Sequence, residues 1–243
     1  MEFIIEVALI IILSVLLSLG AYVLKFLTLG GSIASFATGA VVGVFGGFTW
    51  FVLLMLFTIA GFAATRFSFL KKKEAGLQEG VSGERNHMNI LGVGLPPCIF
   101  AVFAYVMGGE WDYFIMTIGF VASISVAAAD TVASEIGVKD KNVWLCTNFK
   151  RVPPGTNGGV SVLGTLVGLA AALVTSILGW LVLYQTLDLY LLIPAFAGII
   201  GCFLDSFLGA TIETWGYISK YTNNAATGVM GAVIAMFIAY CLI

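Results

Sequence analysis

Asp130, Glu135, Asp205 and Glu213 stand at the ends of long apolar runs, in the settings AAADTVASEIG and GCFLDSFLGATIE. In hydrocarbon an ionised carboxylate is costly unless it is paired, wetted or bound to a cation, so each is a functional-site candidate. Oxygen ligands with small neighbours and room for water suit Mg2+ bridging to phosphates. Asp130 and Glu135 lie five residues apart, about 140° around a helix, and share a face only if that helix breaks. Asp205 and Glu213 lie eight apart with Gly209 between them, close to one face. The plainer alternative is that each acid pairs with a nearby Lys or Arg, or caps a helix.

KRVPPGTNGGVSVLG (150–164) holds a second set of chemically useful residues. Lys150 and Arg151 precede Pro153 and Pro154; Gly155, Gly158 and Gly159 allow close backbone approach; Thr156, Asn157 and Ser161 add polar side chains. A helix expected from residue 159 points its N-terminus at this loop, and cations, glycines and a helix start together make a phosphate cradle. No Walker A motif is present. The same letters also describe a Pro/Gly turn with snorkelling cations.

Further candidates flank other apolar runs. Arg66, Arg85, His87 and Asn89 lie near span ends and can reach a phosphate, the arginines through a bidentate fork. Lys71–Lys73 suit the anionic leaflet. His87 is either a general base or a solvated loop residue. Asn223 and Asn224 echo Thr156-Asn157 and either position phosphate or sugar oxygens or cap the last helix.

The elements that must position these groups follow from composition. The chain is 60% hydrophobic and 10% charged, against about 25% charged in soluble domains. Unbroken apolar runs point to an all-α, polytopic transmembrane bundle rather than a barrel. Spans are expected at 3–24, 31–46, 49–65, 90–107, 113–136, 159–184, 188–207 and 225–243, eight in all, or seven if 31–46 re-enters. Residues 1–24 lack a signal peptide's basic start and cleavage site and are expected to form the first span. The chain reads as one integral membrane domain, 1–243, with polar loops at 66–89, 137–158 and 208–224. Weak internal repeats link TNGGVSVLG, NAATGVMG and LGGSIASFATG, each leading into an apolar helix.

With eight spans, all eleven Lys and Arg fall on one side, and the other side receives only acids. The positive-inside rule makes the basic side cytoplasmic, so a cell-membrane protein with a cytoplasm-facing site is expected. One histidine and four scattered cysteines leave no basis for a His-rich metal site, a Ser-His-Asp triad or a C-x-x-C motif.

The ordered set ADTVASEIG, PGTNGGVSVLG, LDSFLGATIE and YTNN resembles the phytyl-phosphate kinase family of plants and cyanobacteria, which has uncharacterised bacterial and archaeal members. The similarity covers most of the chain, including LTLGGSIASFATG and RNHMNILG, and departs in the 66–88 loop. It implies Mg2+-dependent phosphoryl transfer from a nucleoside triphosphate, CTP being the expected donor, to an isoprenyl monophosphate such as phytyl or geranylgeranyl phosphate. The four acids would hold metal, 150–161 and Asn223-Asn224 the nucleotide phosphates, and Arg66, Arg85, His87 and Asn89 the acceptor phosphate. Expected partners are the isoprenyl lipid and the membrane, with no nucleic acid. A CTP-dependent cytidylyltransferase, a polyprenol kinase or a small-molecule transporter are the alternatives.

Overall fold

A computed structural model describes residues 1–74, 76 and 83–242. The remainder of the polar loop at 75 and 77–82 lies outside the described residues, as does the Lys71 side chain, which the sequence suits to the anionic leaflet. Among the described residues, eight helices are long and apolar enough to cross a membrane. They are α1 (Glu2–Val23), α2 (Leu29–Gly46), α3 (Phe48–Glu74), α4 (His87–Met107), α5 (Glu110–Gly137), α6 (Val162–Tyr184), α7 (Leu192–Leu208) and α8 (Lys220–Leu242). The protein is an all-α polytopic bundle, as expected.

α5 is its mast. Its most apolar window is 83% buried, against 17% for α1, and it packs against α3, α4, α6, α7 and α8. Ala, Ser and Gly along its length let backbones approach closely, which is how helices associate where lipid is as apolar as the side chains. Trp50 stacks on Phe120 at 4.1 Å, and Phe100, Val121 and Ile124 fill the centre around them. At the far end from the candidate residues, Trp180 Nε1 donates to Asp188 Oδ1 at 3.0 Å and Trp50 Nε1 to Tyr113 Oη at 3.0 Å. These bonds satisfy indole donors that apolar packing alone would leave unmet.

Several boundaries differ from the sequence reading, each for a local reason. α3 continues to Glu74, because the polar run after Thr65 consists largely of good helix formers. The 137–158 stretch is not a plain loop. It contains a small antiparallel sheet, β1 (Val143–Leu145), β2 (Arg151–Val152) and β3 (Gly159–Val160), in the order β2-β1-β3. Gly159 and Val160 are therefore paired with Leu145 and Trp144, and α6 starts only after Ser161, whose Oγ accepts from Gly164 N at 3.0 Å. α7 runs on into a single π-helical turn, Gly209–Glu213. α8 begins at Lys220, where Ser219 Oγ accepts from Thr222 N at 3.2 Å. Ser219 thus caps α8, and Asn223 and Asn224 lie inside the helix.

Candidate active site

The C-terminal ends of α3, α5 and α7 and the N-terminal ends of α4, α6 and α8 meet around a cavity of about 460 Å3. Its charged lining is Lys72, Arg85, Asp130, Glu135, Asp205, Glu213 and Lys220. All four expected carboxylates are present. So are Asn89, Asn224, Ser161 and the whole Gly155–Gly159 loop.

Asp130 and Glu135 reach the cavity from an unbroken α5, which removes the expected need for a break between them. The cavity wraps around the end of the helix, so two faces contribute. Glu135 is buried and turned toward α3: its Oε2 pairs with Lys72 Nζ at 2.8 Å, and its Oε1 accepts from Thr65 Oγ1 at 3.2 Å. Arg85 Nη2 donates to that same Thr65 Oγ1 at 3.0 Å. Glu135 therefore pairs directly with Lys72, while Arg85 is linked to it through Thr65, whose hydroxyl also has Gly61 O as an acceptor at 3.0 Å. Asp130, half-buried, lies within electrostatic reach of Lys220, Lys72, Arg85, Glu213 and Asp205.

Asp205 and Glu213 belong to a second network, on the α7–α8 side. Asp205 Oδ2 accepts from Thr227 Oγ1 at 3.0 Å. With its amide oriented to satisfy its neighbours, Asn224 donates to Asp205 Oδ2 at 3.3 Å and to Lys220 O at 2.9 Å. Asn223 is buried between the two acids, and its Nδ2 donates to Asp205 O at 3.1 Å and to Glu213 Oε2 at 3.1 Å. Its Oδ1 is a buried acceptor with no protein partner among the described residues. Glu213 Oε1 accepts from Asn157 Nδ2 at 2.8 Å, which ties the glycine loop to the π-helical turn.

That loop is seated by contact as well as by hydrogen bonds. Gly158 has φ +73°, and a Cβ there would come within 2.3 Å of Ala210 Cβ and 2.6 Å of Ser206 O. Opposite it, a Cβ on Gly209 would meet Asn157 Oδ1 at 2.6 Å. Two glycines thus let the loop lie directly on the end of α7. Thr156 Oγ1 turns back to Pro153 O at 2.7 Å.

The structure gathers some expected residues and leaves others aside. Lys150 and Arg151 are exposed and outside the cavity lining; Arg151 bonds Asn142 Oδ1 at 2.9 Å and lies over the Trp144 ring. Arg66 is exposed, lies over the Phe26 ring and donates to Leu24 O at 3.3 Å. His87, at the start of α4, is exposed and outside the lining. Asn89 lines the cavity, and its Oδ1 also closes a capping box with Asn86 N at 3.0 Å.

Lys72, expected at the anionic leaflet, instead turns inward to pair with Glu135, and Lys220, Thr65 and Thr227 are further participants that the sequence alone does not single out. Their signal is helical spacing. Thr65 and Lys72 are seven apart on α3; Lys220, Asn223, Asn224 and Thr227 follow the i, i+3, i+4, i+7 pattern of one face of α8. Both patterns become visible once those helices are extended to their true ends. Burial raises the thiol pKa of Cys146, outside the spans, above its ordinary value, which argues against a thiolate nucleophile there.

The donor set bears on divalent metal. Among the described residues no three His, Cys, Asp or Glu side chains converge as a ready-made metal centre. Mg2+, however, commonly takes one or two carboxylates and completes its shell with water and substrate phosphate. Among the described residues, four acids and three cations line the cavity. Glu135 is engaged by Lys72, so Asp130, Asp205 and Glu213 are the acids of this lining that could hold a divalent cation.

A family model described as an integral membrane protein, DUF92, matches residues 12–240. An uncharacterised membrane protein of Methanocaldococcus jannaschii is 33% identical over 212 residues, 87% of this chain and 84% of the relative. An uncharacterised membrane protein of Synechocystis is 33% identical over 215 residues, 87% and 82% of the two chains. The chloroplastic protein VTE6 of Arabidopsis thaliana is 30% identical over 217 residues, 86% of this chain and 64% of the relative. No solved structure matches the chain. The chain belongs to the DUF92 family of integral membrane proteins.

Proposed function

We propose that this protein is a membrane phosphotransferase that moves a phosphoryl group from CTP to an isoprenyl monophosphate, giving the diphosphate. The observation that carries the reading is one cavity at a single end of the bundle, where four acids, three cations and a glycine loop face each other. The ordered motifs that resemble the phytyl-phosphate kinases support this class. About 15 Å along α5 from Asp130, Phe120 and Val121 pack with Trp50 and Phe100 in a buried apolar cluster, which favours a one-sided site over a transport path. The end of the bundle that holds the cavity also carries the basic residues, so the positive-inside rule turns it toward the cytoplasm.

Phosphoryl transfer asks mainly for alignment and charge neutralisation. The 155–159 backbone, Lys220 and Asn224 grip the triphosphate from the α6–α8 side. Lys72 and Arg85, held by Glu135 and Thr65, neutralise the acceptor phosphate from the α3–α4 side. Asp130, Asp205 and Glu213 would hold Mg2+, which would supply charge neutralisation at the transferring phosphoryl group. An acceptor oxygen attacks the γ-phosphorus, the bond to the β-phosphate oxygen breaks, and CDP leaves. The acceptor is already ionised at neutral pH, so no dedicated base is needed.

The test is incubation of detergent-purified protein with γ-labelled CTP, Mg2+ and geranylgeranyl phosphate. Label in a lipid diphosphate is the expected result. Label in released pyrophosphate indicates cytidylyl transfer instead, and no labelled product from a folded protein with CTP or ATP refutes the kinase reading.

A further inference from the structure

We infer that the cavity opens sideways into the bilayer between α6 and α7, and that this slot takes the head-proximal part of an isoprenyl chain while the rest of the tail stays in lipid. The inference rests on the phosphotransferase reading and specifies where its lipid substrate enters.

Three observations support it. First, the cavity lining does not stop at the charged groups. It continues to Leu169 on α6 and to Ile199 and Phe203 on α7. Ile199 lies six residues before Asp205, a rise of about 9 Å along the helix and away from the charged end.

Second, two of these wall residues are shared with the outside of the bundle. Leu169 is 44% exposed and Phe203 46% exposed. Their neighbours along the same helix faces, Leu166 and Leu173 on α6 and Phe196 and Phe207 on α7, are exposed too, and none of them lines the cavity. Leu169 and Phe203 therefore sit where the cavity wall becomes the lipid-facing surface.

Third, size leaves little choice. A cavity of about 460 Å3 is the size of one drug-like ligand. It cannot enclose a nucleoside triphosphate and a long isoprenoid together. Drawing the tail's methylenes out of lipid into water is unfavourable, so a tail that remains in the bilayer while its head meets the acids needs a lateral opening.

The slot is tested by position. The protein in nanodiscs is photolabelled with a farnesyl monophosphate carrying a diazirine on its second isoprene unit, and the labelled residues are mapped by mass spectrometry. Label within 165–173 and 196–207, removed by excess geranylgeranyl phosphate and not by inorganic phosphate, is the expected outcome. Competed label confined to other helices overturns the slot and leaves the phosphotransferase reading standing. So does the absence of competed label from a protein that turns over. Absence of both competed label and turnover refutes the reading and the slot together.

A second measurement asks about specificity. Leu169→Trp and Phe203→Trp narrow the mouth of the slot, and each should lower kcat/KM for geranylgeranyl phosphate about tenfold, the scale of a lost apolar fit, relative to dimethylallyl phosphate, whose single isoprene unit ends before that mouth. Equal losses for the two acceptors would overturn the role of these side chains in tail entry.

Discussion

Asn157 Nδ2 donates to Glu213 Oε1 at 2.8 Å, joining two points 56 residues apart in the chain. The glycine loop and the end of α7 are thereby one unit, and the other oxygen of the same carboxylate reaches Asn223 on α8. Asn157→Ala removes this tether. Turnover should fall roughly tenfold as the loop loses its position, with Tm little changed because the bond is exposed and surface changes shift stability by only about 0.5 kcal/mol. Steady-state kinetics beside a thermal melt in detergent separates the two effects.

Gly158→Ala should disturb the same contact by steric means. The new Cβ meets Ala210 and the Ser206 carbonyl, at a φ of +73° that L-residues rarely adopt. The loop must lift from α7, so turnover should fall further than in Asn157→Ala. Strain of this kind costs about 1–3 kcal/mol, which a melting curve reads directly. Unchanged kinetics would show that the loop's seat on α7 does not matter.

The fold was largely legible because hydrophobic length alone marks helices that must satisfy their backbones in lipid. The four acids were legible for the converse reason: charge beside Gly, Ala and Ser at the end of an apolar run is rare without purpose. Lys72 and Lys220 were not. The runs around them are polar, so hydropathy placed them in loops, whereas both lie on helices whose spacing turns them inward. Lys150 and Arg151 misled in the opposite sense. Adjacent in sequence to the glycine loop, they are carried outward because residues 151–152 form an edge strand of the small sheet. Five residues separate Asp130 from Glu135, and their joint use of one cavity depends on tertiary shape that helical periodicity does not encode.

Lys150→Ala and Arg151→Ala should each keep turnover within about threefold of the parent protein, the scale of ordinary surface changes. Lys220→Ala should lose far more, since Lys220 lines the cavity. A reversal of this order, measured as kcat/KM for CTP, would restore the 150–151 pair to the nucleotide site.

Lys72 and Glu135 should act as a coupled pair. Their 2.8 Å ion pair is partly shielded from solvent, so a double-mutant cycle of Lys72→Met and Glu135→Gln should show a coupling energy of about 0.5–3 kcal/mol. Measured on kcat/KM for the lipid phosphate, coupling near zero would mean that Glu135 does not set the position of Lys72.

Thr227→Val keeps the shape of the side chain and removes the hydroxyl that lies 3.0 Å from Asp205 Oδ2 and 3.0 Å from its second acceptor, Asn223 O. Because buried donors to carboxylates are worth about 1.5–3 kcal/mol, turnover should drop at least tenfold, and Thr227→Ser should recover most of it.

The central claim is that acids from α5 and α7 act on one divalent cation held with the triphosphate. Electron paramagnetic resonance of Mn2+ titrated into the purified protein with CTP tests it most directly, comparing Asp130→Asn, Asp205→Asn and the control Asp140→Asn. A protein-dependent Mn2+ signal lost in both Asp130→Asn and Asp205→Asn, and kept in Asp140→Asn, is the predicted result. A signal retained in either of the first two variants would contradict it.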